Sequence, residues 1–573
     1  MGLGENYTGE KSHSPLRRAV VICDRIASHS RIEPGEEMSE SASSTGWWRD
    51  AVVYQVYVRS FADGNGDGTG DIAGLRDRLD YLKDLGVDAL WINPWYASPL
   101  RDGGYDVADY RKIDPRFGTV EEVEMLVREA HDRGIRIIAD LVPNHTSSDH
   151  VWFQEALTAP AGSDARNRYH FRDGDGTEPP SNWTAVFGGS AWEQVDDGQW
   201  YLHLFDTSQP DLNWENEEVR AEFDDVLRFW LDRGIDGFRI DVAHGLVKDP
   251  EFPDVENAGA ILEVDMSANH PYWDRDGVHE INRRWRAILN EYHDRMMVAE
   301  AWVAADRLPL YLRDDEYQQS FNFDLLEAEW DAEDFSDIIE RSVAAAEAVG
   351  APSTWVLSNH DVMRHASRYG LPAGTNWRKW PMQGKPEEMD EALGQKRARA
   401  AALITLSLPG SAYIYQGEEL GLPEVWDLPF GVLDDPTWER SGRTEKGRDG
   451  ARVPVPWSAD GPSFGFGDSE PWLPQPDSFG ERSAARQVDD ETSMLSLYRT
   501  AIALRREHLA GGLDFAIEPV EGGVLRFRRG GLTVVVNMGS SPVEIPAGDV
   551  VLVSGPIKDG MLPKDTGIWV HHN

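Results

Sequence analysis

At 573 residues the chain is too long for one small core, and it fits a barrel of roughly 200–400 residues with one or two smaller domains. An apolar fraction of 40% and 22 tryptophans exclude a mostly disordered chain. The net charge of −44, from 56 basic and 100 acidic residues, repels phosphate backbones and anionic membranes; nucleic acid and lipid are excluded as partners, whereas a neutral substrate is indifferent to it.

Residues 1–45 are polar, rich in Ser and Glu and without helical or strand period, which predicts a disordered N-terminal tail. The apolar run 19–23 is too short for an export signal, and no stretch reaches the roughly 18 apolar residues of a membrane span. The single cysteine, Cys23, cannot form an internal disulfide. Together these features predict a cytoplasmic protein.

From Trp47 onward, short β-branched runs alternate with amphipathic helical stretches. Strands are predicted at 52–58, 87–92, 135–141, 237–241, 296–300, near 320–323, and at 354–358 and 412–415. Strands separated by helices make βα units and a parallel sheet, and eight units predict an α/β fold, a (β/α)8 TIM barrel. The barrel divides into a first part at 46–143 and a second at 213–509. The stretch between them, 144–212, is too long for a βα loop and predicts an inserted domain. Beyond 510 the pattern changes to alternating strands and turns at 524–527, 532–536, 543–545 and 550–553. That predicts an antiparallel β domain over 510–573.

Barrel enzymes carry their chemistry at the C-terminal ends of the strands. Asp241, Glu300 and Asp361 end the fourth, fifth and seventh predicted strands, with Asp140, Asn144 and His145 after the third. Two convergent carboxyls are what glycoside cleavage requires, one to protonate the leaving oxygen and one to attack or to activate water. Arg239 lies two residues before Asp241, so strand alternation turns both side chains the same way. Its charge is expected to keep Asp241 ionised, while repulsion from Asp241 and Asp361 holds a proton on Glu300.

The segments GFRIDVAHG around Asp241, SNHD around Asp361, DLVPNH at 140–145, and the strand end at Glu300 resemble the α-amylase superfamily, glycoside hydrolase family 13. QPDLNW at 209–214 and the Gly104-Tyr105-Asp106 turn narrow the resemblance to the oligo-1,6-glucosidase/α-glucosidase branch. The resemblance runs from about Trp47 to the C-terminus. It implies a retaining mechanism with Asp241 as nucleophile, Glu300 as general acid/base and Asp361 gripping the sugar, assisted by His145, Arg239 and His360. It further implies that Asp106 pairs with an arginine to hold the non-reducing 4-hydroxyl and make the enzyme exo-acting. That arginine is Arg452, with Arg448 as the rival, both in GRDGARVPVPW. Tyr105 would stack on the same glucose, and Phe187 would wall the pocket from the inserted domain.

A second group, Asp63, Asn65, Asp67, Thr69 and Asp71, alternates oxygen ligands with glycines. The spacing resembles an EF-hand loop, and relatives in this branch carry a similar loop, which implies a structural Ca²⁺ or Mg²⁺. No cofactor is expected for catalysis. The expected substrate is a small oligosaccharide or α-glucoside, with α-1,4 linkage favoured and α-1,6 left open by Val242. An exo-α-glucosidase is the first reading. A transglucosylase or disaccharide isomerase shares its covalent intermediate and is the second, and a non-catalytic sugar-binding homologue is the third.

Overall fold

The structure, a computed structural model, describes residues 46–256, 269–511 and 513–572. The N-terminal tail expected over 1–45, with Cys23, lies outside the described residues.

Eight parallel strands form one sheet: β1 (Val52–Val56), β2 (Ala89–Ile92), β3 (Arg136–Leu141), β4 (Gly237–Ile240), β5 (Met296–Ala299), β6 (Gln319–Ser320), β7 (Thr354–Val356) and β8 (Ser411–Tyr415). Their order is β6-β5-β4-β3-β2-β1-β8-β7. The two outermost strands meet where the Thr354 hydroxyl donates to the Ser320 carbonyl at 2.5 Å, which brings the sheet round into a barrel. Alternation along the strands divides their side chains into two cores. Val53, Ala89, Trp91, Ile138, Met296, Val298, Val356 and Tyr413 form the inner one. Val52, Tyr54, Val56, Leu90, Ile92, Ile137, Ala139, Phe238 and Ile240 face outward into the larger core shared with the helices. A strand buried on both faces reads as a continuous apolar run, which is why these strands are visible in the sequence.

The helices begin where local chemistry dictates. Before Val120–His131, the Thr119 side chain accepts the Glu122 N–H while the Glu122 carboxylate reaches back to the Thr119 N–H, and Val123, Leu126, Val127 and Ala130 face the core. Strand β6 ends earlier than the sequence predicts. The Asn322 side chain caps a helix at Phe323–Glu327, so residues expected to extend the strand turn into that helix.

Between β3 and β4 a three-stranded antiparallel sheet is inserted, in the order Phe171–Asp173, Gln199–Leu202, Trp192–Gln194. Its aromatic core (Trp183, Trp192, Phe252, Tyr272 and Trp273) includes Val242, the residue after Asp241. The insertion is therefore packed onto the end of β4.

The C-terminal sheet is antiparallel, in the order Phe515–Ile517, Val524–Arg529, Leu532–Asn537, Thr566–His571, Asp549–Val553. The sequence reading missed Thr566–His571, an interior strand of this sheet. Gly567 weakens its strand signal. An added Cβ there would lie 3.2 Å from Val536 on the neighbouring strand, tighter than an ordinary contact, which favours the glycine. Val543–Glu544 pairs instead with Met561–Leu562 in a separate two-stranded sheet.

Arg529 fastens this sheet to the barrel. Its buried guanidinium donates to the Leu408 carbonyl at 2.7 Å and to Asp50, just before β1, at 2.8 Å. Arg529→Met removes the cation from Asp50 and one of two donors from the Leu408 carbonyl, which keeps Arg505 at 3.0 Å, and is expected to destabilise the protein by about 1–2 kcal/mol. Thermal unfolding checks this, and an unchanged melting temperature would show that the docking does not depend on Arg529.

Candidate active site

Arg239 and Asp241 alternate with the outward-facing Phe238 and Ile240, so both point into the barrel. The buried guanidinium of Arg239 lies 2.9 Å from Asp140, 2.5 Å from Asp241 and 2.8 Å from Glu300. Asp140 is further satisfied by the Trp91 indole N–H at 3.0 Å and the Tyr105 hydroxyl at 2.8 Å. Val242 adopts a left-handed φ of 45°, uncommon for a β-branched residue, and its N–H donates to Glu300 Oε2 at 3.0 Å. The strained turn after Asp241 thus helps to fix the second carboxylate.

Burial pushes the Asp241 carboxyl well above the usual carboxylate range, and Glu300 and Asp140 add to this, while Arg239 pulls the other way. Arg239 opposes that push, as expected of the cation beside Asp241, and it serves Asp140 and Glu300 as well.

Asp361 follows β7. Its Oδ1 accepts from Arg448 at 2.8 Å and Arg452 at 3.1 Å, and its Oδ2 lies 3.2 Å from His360 Nε2. Burial acts to raise the Asp361 carboxyl, but His360, Arg448 and Arg452 outweigh it and hold it below the usual range. Gln55 supplies an amide N–H to His360 Nδ1 at 2.8 Å, which leaves Nε2 protonated and directed at Asp361. Tyr105 stacks on His360, centroids 5.1 Å apart and planes 9° apart. His145 Nε2 approaches the Tyr105 carbonyl at 3.0 Å, and burial lowers the ring's pKa to about 4.

Asp241, Glu300, Asp361, His360, Tyr105 and His145 line a cavity of about 310 Å³ that also takes in Asp102, Phe187, His244, Trp273, Trp302, Glu327, Trp377, Arg378 and Arg448. Asp106 is not among them. The turn 98–106 wraps around the Asp106 carboxylate, which accepts from Ser98 Oγ at 2.9 Å and from the N–H groups of Arg101 and Asp102 at 3.2 Å. Asp102 faces the cavity in its place, 2.8 Å from Arg448 and 2.9 Å from the Gln209 amide. The pairing of Asp106 with Arg452 is therefore corrected to Asp102 with the rival Arg448. Arg452 instead braces the site from behind, its Nε donating to the His360 carbonyl at 2.9 Å. Phe187 lies under the Arg448 guanidinium, 4.8 Å from ring centroid to Cζ.

In the loop after β1, Asp63 accepts from the N–H groups of Gly66 and Gly68, Asn65 from Asp67, Asp67 from Thr69, and Asp71 from Gly64, Asn65 and Gly74. Among the described residues no three His, Cys, Asp or Glu side chains converge as a metal cluster.

Residues 55–511 match the α-amylase catalytic domain. The chain belongs to the α-amylase family. It is 36% identical to the oligo-1,6-glucosidase of Parageobacillus thermoglucosidasius, over 82% of this chain and 86% of that one. Among solved structures it superposes on the α-glucosyl transfer enzyme XgtA with a TM-score of 0.80 and 33% identity, over 92% of this chain and 100% of that one. The trehalulose synthase MutB of Pseudomonas mesoacidophila gives a TM-score of 0.79 and 31% identity, over 94% and 100%.

As in the sequence reading, the three strand-end carboxylates meet at one cavity. The reading missed Asp102 and the far wall of Trp273, Trp302, Trp377 and Arg378. Asp102 carried a signal, since it shares one short glycine-containing turn with Asp106 and either could have been the outward one. Asp102→Ala is expected to raise KM for a glucoside at least about tenfold with little loss of stability, because the Arg448 fork loses a charged partner facing substrate. Asp106→Ala should instead lower stability by about 1–3 kcal/mol, through the donors left unpaired in the turn. Kinetics and thermal unfolding of the two variants check this, and the reverse pattern would restore Asp106 to the site.

Proposed function

We propose that the chain is a retaining exo-acting α-glucosidase that releases glucose from the non-reducing end of maltose-like α-glucosides. The observation that carries this reading is the convergence of Asp241, Glu300 and Asp361 on one cavity that the Asp102–Arg448 pair also lines. The terminal glucose lies between Tyr105 and Phe187, its hydroxyls held by Asp102, Arg448, Asp361 and His360. Asp241, 2.5 Å from Arg239, attacks the anomeric carbon, and the C–O bond to the leaving group breaks. Glu300, acting as the general acid, gives its proton to the leaving oxygen. Glu300 then takes a proton from the acceptor, which displaces Asp241. In this reading the Asp102–Arg448 pair stops the chain beyond the glucose, and this is the physical basis of exo action.

Five carboxylates line the cavity (Asp102, Asp241, Glu300, Glu327, Asp361) against two guanidiniums (Arg378, Arg448). That balance supports a neutral substrate over a phosphorylated one. Transfer to a second sugar is the alternative outcome of the same covalent step, and it is favoured by the likeness to XgtA and to a trehalulose synthase. Catalysis by a metal or organic cofactor plays no part in this chemistry.

Among the described residues no helix is long and apolar enough to cross a membrane. With the lone Cys23, this supports the cytoplasmic reading.

Incubation with maltose, isomaltose and sucrose in separate reactions tests the assignment. Glucose at twice the maltose consumed is expected; early trisaccharides or isomeric disaccharides would make the chain a transglucosylase. Asp241→Asn and Glu300→Gln should each lower kcat by about a thousandfold or more. Near-normal turnover in both variants would overturn the assignment.

The loop Asp63, Asn65, Asp67, Thr69 and Asp71 is proposed to hold Ca²⁺ or Mg²⁺. Its side-chain ligands are oxygens only, alternating with glycines in one loop after β1, the donor set a hard cation takes. The ion would tie the loop to the end of β1. A chelator should lower the melting temperature while leaving kcat at low temperature unchanged; identical melting with and without chelator argues against the site.

A further inference from the structure

A second groove is joined to the catalytic cavity through one hydrogen bond. Trp380 lines the cavity, and its indole N–H donates to Glu424 Oε1 at 2.6 Å. Glu424 in turn lines a groove of about 420 Å³, formed by the segment 423–429 after β8, the stretch 474–478 and the start of the helix Glu391–Thr405.

Two polar groups on the lining of this groove are unpaired. The Trp426 indole N–H and the Gln475 side-chain carbonyl are both buried and find no hydrogen-bond partner among the described residues. The rest of each residue is fixed. Trp426 packs with Trp380 and Met389 in one apolar cluster, and its backbone carbonyl accepts from Lys446 at 2.8 Å. The Gln475 amide N–H donates to the Pro454 carbonyl at 2.9 Å, which sets the orientation of the amide. A buried donor and a buried acceptor without partners are uncommon in a folded protein, and here both belong to the lining of one groove.

Charge narrows what the groove takes. Glu391 is paired with Arg482 at 2.8 Å and with Lys385 at 3.7 Å, so the charges left on the lining are those of Glu424 and Asp427, which repel an anion. Burial raises Glu424 to about 7, and its two oxygens already accept from Trp380 and from the Arg364 N–H at 3.1 Å, so it is a weak anchor for a cation. Trp426, Pro429, Pro474 and Pro476 supply apolar walls. An uncharged molecule with hydroxyls that both donate and accept, on a ring with an apolar face, meets all of these conditions.

We infer that this groove is a second binding site, for a neutral glucose-like sugar, in which Trp426 Nε1 donates to one hydroxyl and Gln475 Oε1 accepts from another. The inference goes beyond the catalytic reading and does not rest on it.

Glucose titrated into wild type, Trp426→Phe and Gln475→Leu tests the site, with affinity read by calorimetry and position by crystals soaked in glucose. Wild type is expected to hold glucose in the groove. Each substitution should weaken that binding at least about tenfold, since each removes one hydrogen-bonding group and keeps an apolar wall. Initial-rate kcat/KM for maltose should stay within about twofold in both variants, because neither side chain belongs to the catalytic cavity. Glucose 6-phosphate should bind the groove more weakly than glucose. An empty groove in wild-type crystals whose catalytic cavity is filled, or equal binding in the groove by wild type and Trp426→Phe, would overturn the inference and leave the α-glucosidase reading untouched. Equal affinity of the groove for the phosphorylated sugar would overturn its assignment to a neutral one. Turnover of maltose by wild type reports on the catalytic reading alone.

Discussion

Arg239 enters the barrel from the inner face of β4 and is buried against Asp140, Asp241 and Glu300, with Trp91 packed beside it at 5.1 Å. Removing four charges from water is costly unless each is paired, and here one cation serves three anions. Burial raises Asp241, and the neighbouring Glu300 and Asp140 add to it against the pull of Arg239. The site is built as a unit around that guanidinium.

A second pair of arginines gives the other end of the cavity the opposite character. Arg448 and Arg452 converge on Asp361 and Asp435, and both carboxylates are held below their ordinary range, Asp435 at about 2, despite burial that acts to raise them. Asp361 therefore stays an anion and an acceptor, whereas Asp241 sits in surroundings that favour taking up a proton. Two carboxylates at the same end of one barrel thus differ in proton affinity because Asp361 is met by His360 and two arginines, whereas Asp241 shares one arginine with Asp140 and Glu300.

Much of this was legible in the sequence because barrel strands impose strict alternation and a fixed functional end. Reading inward positions along GFRID at 237–241 was enough to pair Arg239 with Asp241, and the ends of β5 and β7 supplied Glu300 and Asp361. The errors fall where side-chain direction is set by a turn instead of a strand. Within 98–106 nothing in the spacing says whether Asp102 or Asp106 turns inward; the backbone N–H groups of Arg101 and Asp102 decide it by capturing Asp106. The missed strand Thr566–His571 is the converse case, where the close approach of Val536 favours the glycine that hides the strand.

The far wall of the cavity was illegible for a further reason. Trp273, Trp302 and Trp377 are three among many tryptophans, and most such rings pack cores. What distinguishes Trp273 is its membership of the insertion's aromatic core together with Val242, whose left-handed backbone aims an N–H at Glu300. The inserted domain thereby does more than roof the pocket. Its packing holds the turn after Asp241 in a conformation that a β-branched residue avoids on its own, and that turn positions the acid. Loosening the insertion core would disturb Glu300 and the far wall together, while the Arg448–Asp102 end, built from other loops, would keep its geometry. Substrate grip and proton delivery are thus supported by different parts of the chain. That separation lets the far wall vary without disturbing recognition of the terminal glucose.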